Sequence, residues 1–248
     1  MRSMSKRTAI LFWLLGLPCI AARIDQASAS GFDRYIAQTE ARIGKTLRPV
    51  PAVSDSIEPV DGGTRDIGGA LIHHWRATAI VPGATPNGMI ALLRDYKGLP
   101  VHYAPQVVSA TVLADSGSNA RILVRFKEQK VITIVLDAEY QIESDLAGDH
   151  GHSFSRSRHI WEIDNPGERN ESRRREGDDD GYLWRLNSYW TFERVASGLM
   201  IQCEAVSMTR NVPPALGWLI KPMIQDLPRE MLAFTMSATK RALLQETK

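Results

Sequence analysis

Residues 182–210 read YLWRLNSYWTFERVASGLMIQCEAVSMTR. Two stretches of strand character, 182–195 and 199–210, flank Ser197-Gly198, a pair with the turn chemistry that joins neighbouring strands. In the first stretch Trp184, Leu186, Ser188, Trp190 and Phe192 share one face, opposed by Arg185, Asn187, Tyr189 and Glu193, because successive side chains of a strand point to opposite sides. Pro213-Pro214 ends the second stretch, and about thirty residues of helical pattern follow. Leu227, Met231, Phe234, Ala238 and Ala242 fall on one face of that helix, which suits a helix laid on a sheet. Pro222 and Pro228 are expected to kink or divide it, since each lacks an N–H and clashes with the preceding turn.

Upstream the same alternation recurs. Strand signals cover 107–114, 121–128, 131–143 and 153–164, separated by turn-forming runs such as Asp115-Ser116-Gly117-Ser118-Asn119. In 131–143 Ile132, Ile134, Leu136, Ala138, Tyr140 and Ile142 oppose Thr133, Asp137, Glu139, Gln141 and Glu143. Alternation of this strength decides which face looks inward. Residues 71–81 form another extended stretch, and Asn87 is a candidate N-cap for a helix that stops at Gly98. Phe32, Tyr35, Ile36, Thr39 and Ile43 recur at helical spacing and end near Gly44, after which 45–69, rich in Pro, Gly, Ser and Asp, reads as a linker or strap. One strand, a helical excursion, six further strands in hairpin order and a closing helix make an α+β chain with an antiparallel sheet covered on one side by helices.

This order resembles the START-like superfamily, also called SRPBCC, which includes polyketide cyclase/dehydrase-like and birch-pollen-allergen-like proteins. The resemblance covers about 70 to about 245 and is carried by Ser188-Tyr189-Trp190-Thr191-Phe192-Glu193, the turn Ser197-Gly198, the corner Arg210-Asn211-Val212-Pro213, and then Trp218-Leu219-Ile220-Lys221-Pro222 and Leu227-Pro228-Arg229-Glu230. It implies a helix-grip fold, a curved seven-stranded antiparallel sheet wrapped around a long C-terminal helix and enclosing a hydrophobic cavity. The function implied is the non-covalent holding of a hydrophobic or lipid-like small molecule, with the closing helix and the loops of 87–105 gating access. A cyclase/aromatase-like enzyme using the same cavity and a cell-envelope interaction module, working through 30–69 and the charged run 167–181, are the alternatives. The inward sets either line a cavity or fill a core.

Leu136, Tyr140, Trp161, Trp190, Met231 and Phe234 are the candidate ligand-lining residues, the aromatics among them offering a large ring with a polar edge. Asn187 and Tyr189 join them if their strand is bulged. For acid–base work His159 and Glu204 are the only nominees, and a Glu204–Arg210 ion pair is a structural explanation of the latter. His73 and His74, adjacent on a strand, face opposite sides and cannot share a metal without distortion. His150 and His152 lie in a turn with no third ligand pattern, and Cys203 sits mid-strand with no base in view. No nucleophile elbow or phosphate-binding loop is present, so neither a catalytic residue nor a cofactor or metal is expected. The run 167–181 mixes Arg and acidic residues and reads as a mobile, solvated hairpin tip.

The chain of 248 residues is 44% hydrophobic with a formal charge of +2, which excludes a disordered chain. Arg2, Lys6 and Arg7 followed by an apolar run over 8–22 and by Ala27-Ser28-Ala29 read as a signal peptide cleaved before Ser30. The run is shorter than the ~20 residues a membrane span needs. The organisation is thus 1–29 signal peptide, 30–69 N-terminal extension and 70–248 main domain, with a periplasmic or secreted location. Without 1–29 the net charge becomes −1 and only Cys203 remains of the two cysteines, which removes the electrostatic motive for binding nucleic acid and any internal disulfide.

Overall fold

The computed structural model describes residues 24–129, 133–175, 178–211 and 217–245, and of 217–225 the backbone only. Residues 1–23 and the corner residues Val212 and Pro213 lie outside these. Helix α1 (Gln26–Ile43) is followed by strands β1 (Ser56–Asp66) and β2 (Ala70–Val81), helix α2 (Pro86–Arg94), a 3-10 turn (Tyr96–Gly98) and helix α3 (Leu99–His102). Then come β3 (Val107–Asp115), β4 (Asn119–Gln129), β5 (Thr133–Ala147), β6 (His150–Asp164), the two-residue β7 (Ser172–Arg173), β8 (Arg185–Val195), β9 (Gly198–Arg210) and helix α4 (Gly217–Gln245).

Every strand pairing is antiparallel, and the order across the sheet is β1-β2-β9-β8-β6-β5-β4-β3, with β7 added beside β6. The α+β helix-grip architecture is therefore as the resemblance implies, but with nine strands among the described residues rather than seven. The added strands are β7 and β1. β1 falls in the stretch read as a linker. It has no apolar alternation, because it is an edge strand exposed along most of its length, and it is broken by a bulge between Pro59 and Thr64 where Asp61, Gly62 and Gly63 take positive φ. Proline is tolerated at such an edge, where no ladder partner needs its N–H.

Helix α1 begins six residues before the first periodic apolar position. Asp25 caps it, accepting from the Ser28 backbone N–H at 2.6 Å, and the buried Ser28 hydroxyl donates to the Gly68 carbonyl at 3.0 Å. The peptide bond between Ala29 and Ser30 lies inside this helix. Phe32, Tyr35 and Ile43 pack on Ile72, Phe154, Tyr189, Val206 and Met208, which covers the outer face of the sheet. The inner face of β2, β8 and β9 takes Leu232, Met236, Ala242 and Leu243 of α4 together with Met89 and Leu92 of α2. Helix α2 is capped by Thr85, not Asn87; the Thr85 hydroxyl accepts from Gly88 N–H at 3.1 Å and Pro86 occupies the first turn. Helix α4 runs as one element through Pro222 and Pro228. Burial of Leu232, Met236, Ala242 and Leu243 offsets a local proline cost of about 3 kcal/mol. None of the described helices is long and apolar enough to cross a membrane.

Candidate functional site

A cavity of about 340 Å³ lies between the inner face of the sheet and α4. Its existence follows from side-chain size. Ser155 on β6, Ser188 on β8, and Ala205 and Ser207 on β9 all line it, and Ser155 is paired directly with Ser188, which is paired with Ala205. Adjacent positions that would otherwise carry branched residues carry small ones, so the space above them stays open. Around this floor, β4 contributes Ile122, Val124 and Phe126, β5 contributes Ile134, Leu136, Tyr140 and Ile142, and β8 contributes Leu186 and Trp190. The roof is the α4 segment bearing Leu227, Met231, Leu232 and Phe234. Leu99 and Tyr103 close one end, Tyr103 tied to α4 by a 2.9 Å hydrogen bond with Thr239. The polar side chains Gln106, Lys127 and Glu128 also line the cavity, and Gln106 donates to Glu128 at 3.2 Å.

The structure brings Leu136, Tyr140, Trp190, Met231 and Phe234 together on this cavity, and places Trp161, Asn187 and Tyr189 elsewhere. Between Glu139 and Tyr140 of β5 the register with β6 slips by one residue, so that His159 is paired with Glu139 but Ser157 with Tyr140. This bulge exchanges the two faces of β6. Trp161 consequently stacks on His159 on the outer side, with ring centroids 5.3 Å apart, under the guanidinium of Arg173 at 4.4 Å. Strand β8 has no bulge. Tyr189 points under α1, donating to Glu40 at 3.0 Å, and Asn187 donates to the Tyr189 oxygen at 3.2 Å.

Both acid–base nominees also lie on the outer side. Glu204 is 1% exposed and is held by Arg42, by Arg76 at 2.9 Å and by His74 at 2.7 Å, not by Arg210. Burial pushes its carboxyl up, but the hydrogen bonds from His74 and Arg42 outweigh this and bring the pKa down to about 2. His74 in turn sits 2.6 Å from the Tyr35 hydroxyl, which donates to Asp61 at 2.9 Å. His73 does face the other way, as adjacent strand residues must, and lies between Thr64 at 3.1 Å and Thr209 at 3.0 Å. Burial lowers its pKa to about 4, so it is neutral at pH 7.

Among the cavity-lining groups, burial pushes Tyr140, Tyr103 and the Cys203 thiol up, Tyr103 to about 12. All three therefore keep their protons at neutral pH and act as donors, not bases. Tyr103, Cys203 and the small residues of the floor are not among the lining candidates that sequence alone supplies. The signal that could have found the floor is Ser188 in the same inward set as Trp190, with Ser207 on the strand that follows.

The run 167–181 is not a free tip. Part of it folds onto the outer face, where Asp137, 4% exposed, accepts from Arg125 at 2.7 Å and from Arg173 at 3.0 Å. Glu171 accepts from Arg125 at 2.7 Å, Arg174 donates to Asp164 at 2.6 Å, and buried Glu162 accepts from the Asp180 and Tyr182 backbone N–H groups. Opposite charges that sequence alone leaves in solvent thus find partners on β4, β5 and β6. Asp137→Ala is expected to free this strap, exposing Arg173 and Arg174 to trypsin and raising cleavage within 165–181 by about tenfold, read by limited proteolysis. An unchanged cleavage rate would show that the strap does not depend on Asp137.

No protein-family model and no curated protein sequence matches the chain. Among solved structures it is similar to a protein of Thermus thermophilus, with 17% identity, a TM-score of 0.51, and coverage of 71% of this chain and 99% of that one. It is also similar to human STARD10, at 11% identity and TM-score 0.49 over 90% of this chain and 80% of that one. The Zhui aromatase/cyclase of Streptomyces sp. R1128 gives 12% identity and TM-score 0.48 over 71% and 93%.

Proposed function

We propose that this chain, whose fold is START-like, is an exported carrier that holds a hydrophobic or lipid-like small molecule without covalent attachment. The observation that carries the reading is the cavity of about 340 Å³ between sheet and α4, roofed and walled mostly by apolar side chains with a few polar groups among them, the lining expected of a small-molecule site. Binding is favoured over turnover because His159 and Glu204 lie on the opposite side of the sheet and the lining phenols and thiol are held protonated. Export rests on the basic and apolar pattern of 1–22.

The test expresses the full chain in a Gram-negative host, takes the periplasmic fraction, and examines the protein by native mass spectrometry before and after delipidation. The expected result is a shortened chain in that fraction, carrying co-purified apolar mass and regaining it on incubation with bacterial lipid extract. An uncleaved chain confined to the cytoplasm would overturn the export part. A delipidated protein that takes up neither lipid nor the uncharged fluorophore N-phenyl-1-naphthylamine would overturn the carrier part.

A further inference from the structure

The two walls of the cavity differ in chemistry. The α4 wall presents Leu227, Met231, Leu232 and Phe234. On the sheet wall, Tyr140 of β5, Ser153 and Ser155 of β6, Ser188 of β8, and Ser207 and Thr209 of β9 place hydroxyl groups on consecutive strands. Ser155 faces Ser188 directly, and Ser207 stands one diagonal step beyond, since its own partner Leu186 is two residues from Ser188. Tyr140 stands a diagonal step to the other side, being paired with Ser157. Four strands at ~4.8 Å spacing carry this seam over about 14 Å.

Of these hydroxyls, that of Tyr140 lacks the partner a buried polar group normally has, while those of the half-buried Ser155 and Ser188 open onto the cavity. The Tyr140 hydroxyl is buried with no hydrogen-bond partner, and the residue is 5% exposed. Ser153 and Ser207 are 5% and 7% exposed. Among the described residues the hydroxyls of Ser153, Ser155, Ser188 and Ser207 have no hydrogen bond to protein, whereas Thr209 is already engaged by His73 at 3.0 Å. A uniformly apolar guest would strip these hydroxyls of water and leave them unpaired, which costs free energy.

We infer that the ligand is a facially amphiphilic molecule, carrying oxygen substituents on the side that lies on the β5-β6-β8-β9 seam and hydrocarbon on the side that meets α4. The inference rests on the carrier reading above and deepens it. Hydroxyl, keto or ether oxygens spaced across a fused-ring or similarly rigid skeleton would meet the seam, Tyr140 and the serines supplying donors.

The test uses two probes of one skeleton, cholate with three hydroxyls on one face and 5β-cholanate with none, each measured by displacement of N-phenyl-1-naphthylamine. Wild type is compared with the triple variant S155A/S188A/S207A, whose smaller, more apolar side chains remain compatible with the strands. The expected result is a loss of roughly tenfold or more in cholate affinity in the variant, with 5β-cholanate and the fluorophore bound as tightly as before or more so. A Y140F variant should move in the same direction. Equal changes for both steroids, or none for cholate, would overturn the seam assignment while leaving the carrier reading intact. Failure of the fluorophore to bind wild type would overturn both.

Discussion

Ala205→Trp should abolish uptake of apolar probes while leaving the protein folded. Ala205 lies mid-strand in β9, between Cys203 and Ser207 on the cavity floor and paired with Ser188. An indole there would occupy the space that these small side chains leave open. In a filled core such an enlargement costs typically 1–3 kcal/mol, but here the ring enters a void of about 340 Å³ and buries apolar area, so the melting temperature should hold or rise. N-phenyl-1-naphthylamine affinity is expected to fall by about 100-fold or more. Val108→Trp, at a position 49% exposed on the edge strand β3, is the control that leaves binding unchanged. Wild-type affinity in the Ala205 variant would mean that the probe binds somewhere other than the space under α4.

The largest effect on stability is expected from Glu204→Ala. The carboxylate is 1% exposed, is hydrogen-bonded to His74 and neutralises Arg42 and Arg76, so its removal leaves two guanidinium groups near each other beneath α1. Breaking a buried pair in this way costs about 3–5 kcal/mol. Arg42 remains 43% exposed in its side chain and can rehydrate, so the lower end of that range is expected, measured by urea unfolding. The pH dependence has a definite sign. The folded pKa of about 2 lies below the ordinary 4.5, so the stabilisation is complete above pH 4.5 and is lost as pH falls from there through about 2. It amounts to something on the order of 3 kcal/mol at neutral pH. The difference in stability between wild type and variant should therefore shrink across that acid window. A difference independent of pH would show that the loss is one of packing alone.

Period-two alternation made the sheet legible. Leu136, Tyr140 and Trp190 could be assigned to the inner face from residue type because β5 and β8 keep their register along the stretches that matter. Trp161 could not, since the bulge opposite Glu139 and Tyr140 reverses the faces of β6 and leaves no compositional mark. Strand β1 escaped because an exposed edge carries no hydrophobic period. Glu204 read as an inward candidate because nothing local to β9 reveals that Arg42, more than 160 positions earlier, arrives from α1 to meet it. The same holds for Asp137 and the 167–181 strap, whose charges pair only after the chain has folded back on β5. Whether the inner face encloses space or is filled depends on the coincidence of small residues on β6, β8 and β9, a property of register that no single strand displays.

The covering of the sheet is uneven. Strands β2, β9 and β8 lie between α1 on one side and α4 on the other, whereas β3, at the far edge, leaves most of its length exposed. Resistance to deformation therefore grades across the sheet, highest where both faces are packed and lowest toward β3. The cavity straddles this gradient, with β8 and β9 as its stiffer wall and β4 on its more compliant side. In the proposed carrier, guests of somewhat different girth would be taken up by movement on the β4 side, against a wall of β8 and β9 that is packed on both faces.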